Sequence, residues 1–182
     1  MNRALTISRF QPFHVGHEQN LDMMRDDGYK EIVIGIGSAE KSYTPDNPFT
    51  CGERMEMVDA AVRGKGFKNY FIVPVRDIGD YDLWATHVER LMPRFDAVYG
   101  GNPLMKLLLE DKGYKVIELE RKKLTDFDKN PAEVIEVSGT KIRNMILKDD
   151  CRWRKMVPPA VCKKIEEYGG VDRIKTLNRM LE

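Results

Sequence analysis

Hydrophobic and polar positions along the chain switch repeatedly between the two-residue period of strands and the 3.6-residue period of helices. Arg3-Ala4-Leu5-Thr6-Ile7-Ser8 reads as a short buried strand, residues 15–25 as a helix, and Glu31-Ile32-Val33-Ile34-Gly35-Ile36 as a nearly continuous apolar strand of the kind covered on both faces. After a polar connector over 37–48, Thr50-Cys51-Gly52-Glu53 is a capping box opening a helix that carries Met55, Met57, Val58, Ala61 and Val62. Strands are predicted over 70–75, 96–99 and 115–119, with helices over 83–91 and 104–109 between them. Residues 122–133 read as an irregular loop, and Ser138 as the N-cap of another helix. Such repetition with short connections predicts an α/β fold: a doubly wound (Rossmann-like) parallel sheet with flanking helices over residues 1–148. Residues 149–182, with the apolar stripe Val161, Ile165, Tyr168, Val171 and Ile174, form a C-terminal helical extension packed on the same domain.

In a sheet of this kind the ligand crevice lies at the carboxyl ends of the strands. Four junctions there carry Gly or small polar residues: Ser8-Arg9-Phe10-Gln11-Pro12, Gly35-Ile36-Gly37-Ser38-Ala39, Arg76-Asp77-Ile78-Gly79-Asp80 and Gly100-Gly101-Asn102-Pro103. Turn chemistry accounts for any one of them, but four in register point to a site. The first runs into His14-Val15-Gly16-His17, where a helix start offers unpaired N–H groups and a partial positive charge to an anion, with phosphate the natural guest. His14 and His17 project from one face of that turn, and Gly16 lacks the Cβ that would hold a triphosphate away from the backbone. Ser138-Gly139-Thr140-Lys141-Ile142-Arg143 gathers hydroxyls, N–H groups and two cations at a second helix start, although capped basic helices are also ordinary structure. A histidine pair also suits a metal clip, but His87 is the only other histidine and no Cys or carboxylate lies at a matching interval, which argues against zinc.

Composition narrows the classes. At 182 residues and 42% hydrophobic the chain suits one domain with a sizeable core. Thirty Lys and Arg against 29 Asp and Glu leave no global field for nucleic acid or membrane, although residues 141–182 hold eleven basic and six acidic side chains. Cys51, Cys151 and Cys162 are odd in number without C-x-x-C spacing, as expected of reduced thiols in a cytoplasm. No apolar run reaches membrane-spanning length.

The H-x-G-H of His14 to His17 followed by the S-x-T-x-x-R of Ser138 to Arg143 resembles the nucleotidylyltransferase superfamily. Gly37-Ser38-Ala39, Asn47-Pro48-Phe49-Thr50, Gly52-Glu53-Arg54, Leu83-Trp84 and Gly101-Asn102-Pro103 are similar to its archaeal nicotinamide-nucleotide adenylyltransferases, and the resemblance covers nearly the whole chain. Ser8 stands where that family usually has Gly, and Tyr81 where a relative has Asn. The resemblance implies transfer of AMP from ATP to nicotinamide mononucleotide (NMN), giving NAD and pyrophosphate. It implies His14, His17, Arg9 and Arg143 as catalytic groups, and an ATP site built from these with Ser8, Phe10, Gly16, Ser138, Gly139 and Thr140. Gly37, Ser38, Asp77, Ile78, Tyr81, Trp84 and Asn102 would bind NMN, with Trp84 stacked on the nicotinamide; an isolated Trp at that place would otherwise read as core. Mg²⁺ would be held mainly by the ATP phosphates, with Asp77 or Asp80 assisting. A homo-oligomer is implied, a hexamer by family resemblance, with no nucleic acid or membrane partner. The alternatives are another acceptor, pantetheine phosphate, flavin mononucleotide or an alcohol phosphate, or a noncatalytic nucleotide-binding or nucleic-acid-binding regulator. Against the regulator stand the absence of a helix-turn-helix pattern and the full set of charged motif residues.

Overall fold

The computed structural model describes residues 2–119, 122–126 and 130–180. Five parallel strands form the central sheet: β1 (Arg3–Ser8), β2 (Glu31–Ile36), β3 (Tyr70–Pro74), β4 (Ala97–Gly100) and β5 (Lys115–Glu118), in the order β3-β2-β1-β4-β5. β1 pairs in parallel with both β2 and β4, so the winding direction reverses beside it and a crevice opens at its carboxyl end. Helices α1 (Val15–Asp26), α2 (Cys51–Gly64), α3 (Tyr81–Leu91) and α4 (Pro103–Asp111) connect the strands.

The two-residue period of the strands divides the core into two layers. Ala4, Ile32, Ile34, Ile36, Ala97 and Tyr99 face α1 and α2, while Leu5, Val33 and Val98 face α3 and α4 through Ala85, Val88, Met105 and Leu109. Helix starts follow local chemistry. Thr50 Oγ1 accepts from the Glu53 N–H at 3.2 Å while Glu53 Oε2 accepts from the Thr50 N–H at 2.8 Å, the predicted capping box. α3 begins two residues before the pattern suggests, because Asp80 caps it by accepting from the Leu83 N–H.

One expectation is corrected. Most of the loop expected over 122–133 is an antiparallel hairpin of β6 (Lys123–Asp126) and β7 (Asn130–Glu136), while residues 127–129 lie outside the described residues. The register pairs Leu124 with Ile135 on the inner face, next to an irregularity at Thr125/Asp126. Beyond the hairpin come α5 (Gly139–Leu147), a 3-10 helix (Cys151–Met156), α6 (Pro159–Glu167) and α7 (Gly170–Arg179). Trp153, Met156, Val161, Ile165 and Ile174 are buried in the same apolar layer as α1 and α2. Arg173 grips Glu53 with both terminal nitrogens, at 2.6 and 2.8 Å, so the carboxylate that caps α2 also anchors α7.

Candidate active site

The chain leaves β1 at Ser8 and turns at Phe10, whose φ of 50° lies in the left-handed region. Phe10 and Phe13 are buried and stacked with ring centroids 5.6 Å apart, so the side chain of Phe10 supports the turn. Gln11 is buried and bonds both ways to the Phe49 backbone at 3.0 Å, tying the turn to the segment entering α2. The Gln11–Pro12 peptide is cis.

His14 is the N-cap residue of α1, and its ring lies parallel to that of His17 with centroids 3.6 Å apart. His17 Nδ1 accepts from the His14 N–H at 3.1 Å, which places the proton of a neutral ring on Nε2, and that atom meets the Ser8 hydroxyl at 3.1 Å. Burial lowers the His14 pKa to about 4; burial, and then the neighbouring His14, hold His17 well below its ordinary value. Both imidazoles are therefore neutral near pH 7 and act as hydrogen-bonding groups rather than cations. A Cβ on Gly16 would stand 3.0 Å from His14 Nδ1, so the glycine makes room for the imidazole as well as for a ligand.

The start of α5 closes the opposite side. Ser138 Oγ accepts from the Lys141 N–H at 3.2 Å, the predicted cap, and Gly139 passes so close to the first turn that a Cβ there would lie 2.8 Å from the Gln11 carbonyl oxygen. Arg143, 4% exposed, donates to that carbonyl at 2.9 Å and to Asp46 Oδ1 at 2.8 Å. Its guanidinium thus bridges two segments far apart in sequence. Asp46, which sequence reasoning passed over, is exposed and sits on the tip of a turn closed by Thr44 and Asn47.

Arg54 was legible only as part of a motif, and the structure gives it a job. It is fully buried and, among the described residues, forms no ion pair, donating instead to the carbonyls of Thr50, Arg9, Gly37, Ser38, Ala39 and Lys41 at 2.8 to 3.3 Å. One guanidinium thus fixes the loops after β1 and β2 against each other. The signal was its phase: Arg54 shares the helical face of Met57, Val58 and Ala61, where an arginine must find partners inside the protein.

All the sequence-derived site residues border one cleft of about 920 Å³ above the ends of β1 and β4. On its far wall Lys41 pairs with Asp77 at 2.7 Å; burial raises the Asp77 carboxyl, but hydrogen bonds from Lys41 and Ser38 outweigh it and hold the pKa below the ordinary value. Trp84 is half-buried, packed against the α3 and α4 layer while bordering the cleft, so it is wall and core at once. Ile78 and Tyr81 stand exposed on the rim. Asn102 spends its side-chain oxygen capping α4, accepting from Leu104 and Met105, which leaves only its amide nitrogen for a ligand. Among the described residues no three His, Cys, Asp or Glu side chains are grouped to hold a metal ion, and no helix is long and apolar enough to cross a membrane.

Residues 5–145 match the cytidylyltransferase-like family. The chain is 41% identical over 176 residues to the nicotinamide-nucleotide adenylyltransferase of Picrophilus torridus, covering 97% of each chain. It belongs to this family of adenylyltransferases. The enzyme of the same name from Methanococcus aeolicus is also 41% identical, over 97% of this chain and 95% of that one. Among solved structures, the bifunctional NMN adenylyltransferase/ADP ribose pyrophosphatase of Francisella tularensis, complexed with AMP and a manganese ion, shares the fold. The TM-score is 0.68 at 18% identity, over 97% of this chain and 51% of that chain.

Proposed function

We propose that the protein transfers AMP from ATP to nicotinamide mononucleotide, forming NAD and releasing pyrophosphate. The observation that carries this reading is the convergence of His14, His17, Arg9 and the Ser138 to Arg143 helix start on one cleft, in a chain 41% identical to enzymes named for that reaction. The phosphate of NMN is already an anion at neutral pH, so attack on the α-phosphorus needs no general base; the protein's work is to hold two polyanions in line and spread the charge that develops. His14 and the Nε2–H of His17 donate to phosphate oxygens, Arg9 and Arg143 grip the triphosphate, and the N–H groups opening α1 and α5 complete the cradle. Gly37, Ser38, Asp77, Ile78, Tyr81, Trp84 and Asn102 then receive NMN, with the Trp84 indole stacked on the nicotinamide ring.

A divalent cation, Mg²⁺ in this reading, comes with the triphosphate and supplies charge neutralisation. The Francisella tularensis structure, complexed with AMP and a manganese ion, supports a divalent cation. Three free cysteines support a cytoplasmic setting. Exposed Leu83, Leu104 and Leu107 on α3 and α4 support self-association, for which family resemblance suggests a hexamer. Residues 149–182 read as an extension of the same domain, since their apolar side chains join its core. One assay tests the activity: purified protein with ATP, Mg²⁺ and, in turn, NMN, nicotinate mononucleotide, pantetheine phosphate and flavin mononucleotide. NAD and pyrophosphate should form with NMN and stop on addition of EDTA. Turnover confined to another acceptor would overturn the substrate assignment, and turnover unaffected by EDTA would overturn the metal.

A further inference from the structure

A triphosphate carries several negative charges, and the two imidazoles that open α1 bring none of the opposite sign. Arg9, Lys41, Lys122 and Arg143 supply the basic side chains on the cleft wall. Two of these are already matched to carboxylates, Lys41 to Asp77 at 2.7 Å and Arg143 to Asp46 at 2.8 Å. Among the described residues neither Arg9 nor Lys122 has an ion pair or a side-chain hydrogen bond, and both are exposed to the cleft. Lys122 also has a fixed place. Its carbonyl accepts from the Val137 N–H at 2.8 Å, one residue before the cap of α5, and its Cβ stands 3.6 Å from where a Cβ on Gly16 would be, at the start of α1. The residue therefore stands between the two helix starts whose N–H groups face the cleft.

We propose that Lys122 is a binding residue for the polyphosphate of ATP, contacting the part that leaves as pyrophosphate. This rests on the reading that the α1 and α5 starts hold the triphosphate, and adds a residue outside both motifs. A single ammonium with three donors suits it, since a lysine follows a moving phosphate as a point charge without demanding the planar geometry of a guanidinium. Because the side chain is exposed and unpaired, removing it should leave the fold intact.

The test is Lys122→Met beside Lys122→Arg, with steady-state kinetics for both substrates, pyrophosphate product inhibition and melting curves. Lys122→Met should raise KM for ATP and the inhibition constant of pyrophosphate by roughly 10- to 100-fold, the scale of one hydrogen bond to a charged group. KM for NMN should stay within about twofold and the melting temperature unchanged, while Lys122→Arg should recover most of the loss. Wild-type KM for ATP and pyrophosphate inhibition in Lys122→Met, in an enzyme that makes NAD, would overturn the proposal and leave the reaction standing. Equal weakening of both substrates with a lowered melting temperature would overturn it too, marking a structural role. If the wild type fails to use NMN yet Lys122→Met weakens ATP binding measured by calorimetry, the acceptor assignment falls and the role of Lys122 holds.

Discussion

Arg143 is occupied before any substrate arrives. Its guanidinium is almost wholly buried, yet the carboxylate it meets belongs to Asp46, whose side chain is 75% exposed, so the pair is cheap to separate from the Asp46 side. An incoming triphosphate must share Arg143 with that carboxylate and suffers its repulsion. Asp46→Asn should therefore lower KM for ATP by roughly two- to fivefold, the range set by a half-exposed ion pair, with KM for NMN unchanged. A raised KM for ATP would mean that Asp46 holds Arg143 in place for the nucleotide instead. The histidines and the Ser138 to Arg143 motif were legible because their spacing alone puts them on helix starts. The Asp46 contact spans 97 residues and Lys122 approaches Gly16 from beyond β5, so no local pattern announces either. Arg54 falls between these cases: its helical phase was in the sequence, but six carbonyl partners drawn from three segments are a property of the fold.

At the scale of elements, α5 matters through how closely it docks. Gly139 allows its first turn to lie against the Gln11 carbonyl, and the same carbonyl accepts from Arg143. Gly139→Ala would push a methyl to 2.8 Å from that oxygen, and the backbone on both sides has little freedom to yield. Overpacking of this kind costs about 1–3 kcal/mol, so the variant should melt several degrees lower and show a raised KM for ATP, as the helix start and Arg143 shift together. An unchanged or higher melting temperature would mean that the contact relaxes without strain. The strands and helices were readable because buried parallel strands are continuous apolar runs and because Thr50 and Ser138 announce helix starts, whereas the caps at Asp80 and Asn102 emerge only in the structure. The hairpin was not: among the side chains described in its strands and exit, Leu124, Ile135 and Val137 join the core, too few apolar positions to stand out from a polar stretch.

For the whole molecule, the depressed histidines couple folding to pH. In the unfolded chain His14 titrates near 6.5, whereas in the fold its pKa is about 4, so below pH 6.5 the unfolded state binds more protons and stability falls as pH drops toward 4. The loss from His14 alone amounts to about 2 kcal/mol at pH 5 relative to pH 7, and His17 shifts in the same direction. Melting curves at pH 7 and pH 5 should differ by several degrees, and His14→Gln should reduce the difference, leaving the part due to His17. Equal melting temperatures at the two pH values would show that the imidazoles are not held neutral. The bond from Arg143 to the Gln11 carbonyl carries a different consequence, for the order of events during synthesis. Every strand of the central sheet has been translated by Glu118, but the second phosphate-facing helix begins only at Gly139, on the far side of the hairpin. A growing chain on the ribosome can thus assemble the sheet and the paired imidazoles while one wall of the cleft is still missing, and it gains a complete grip on a nucleotide only when its last quarter has emerged.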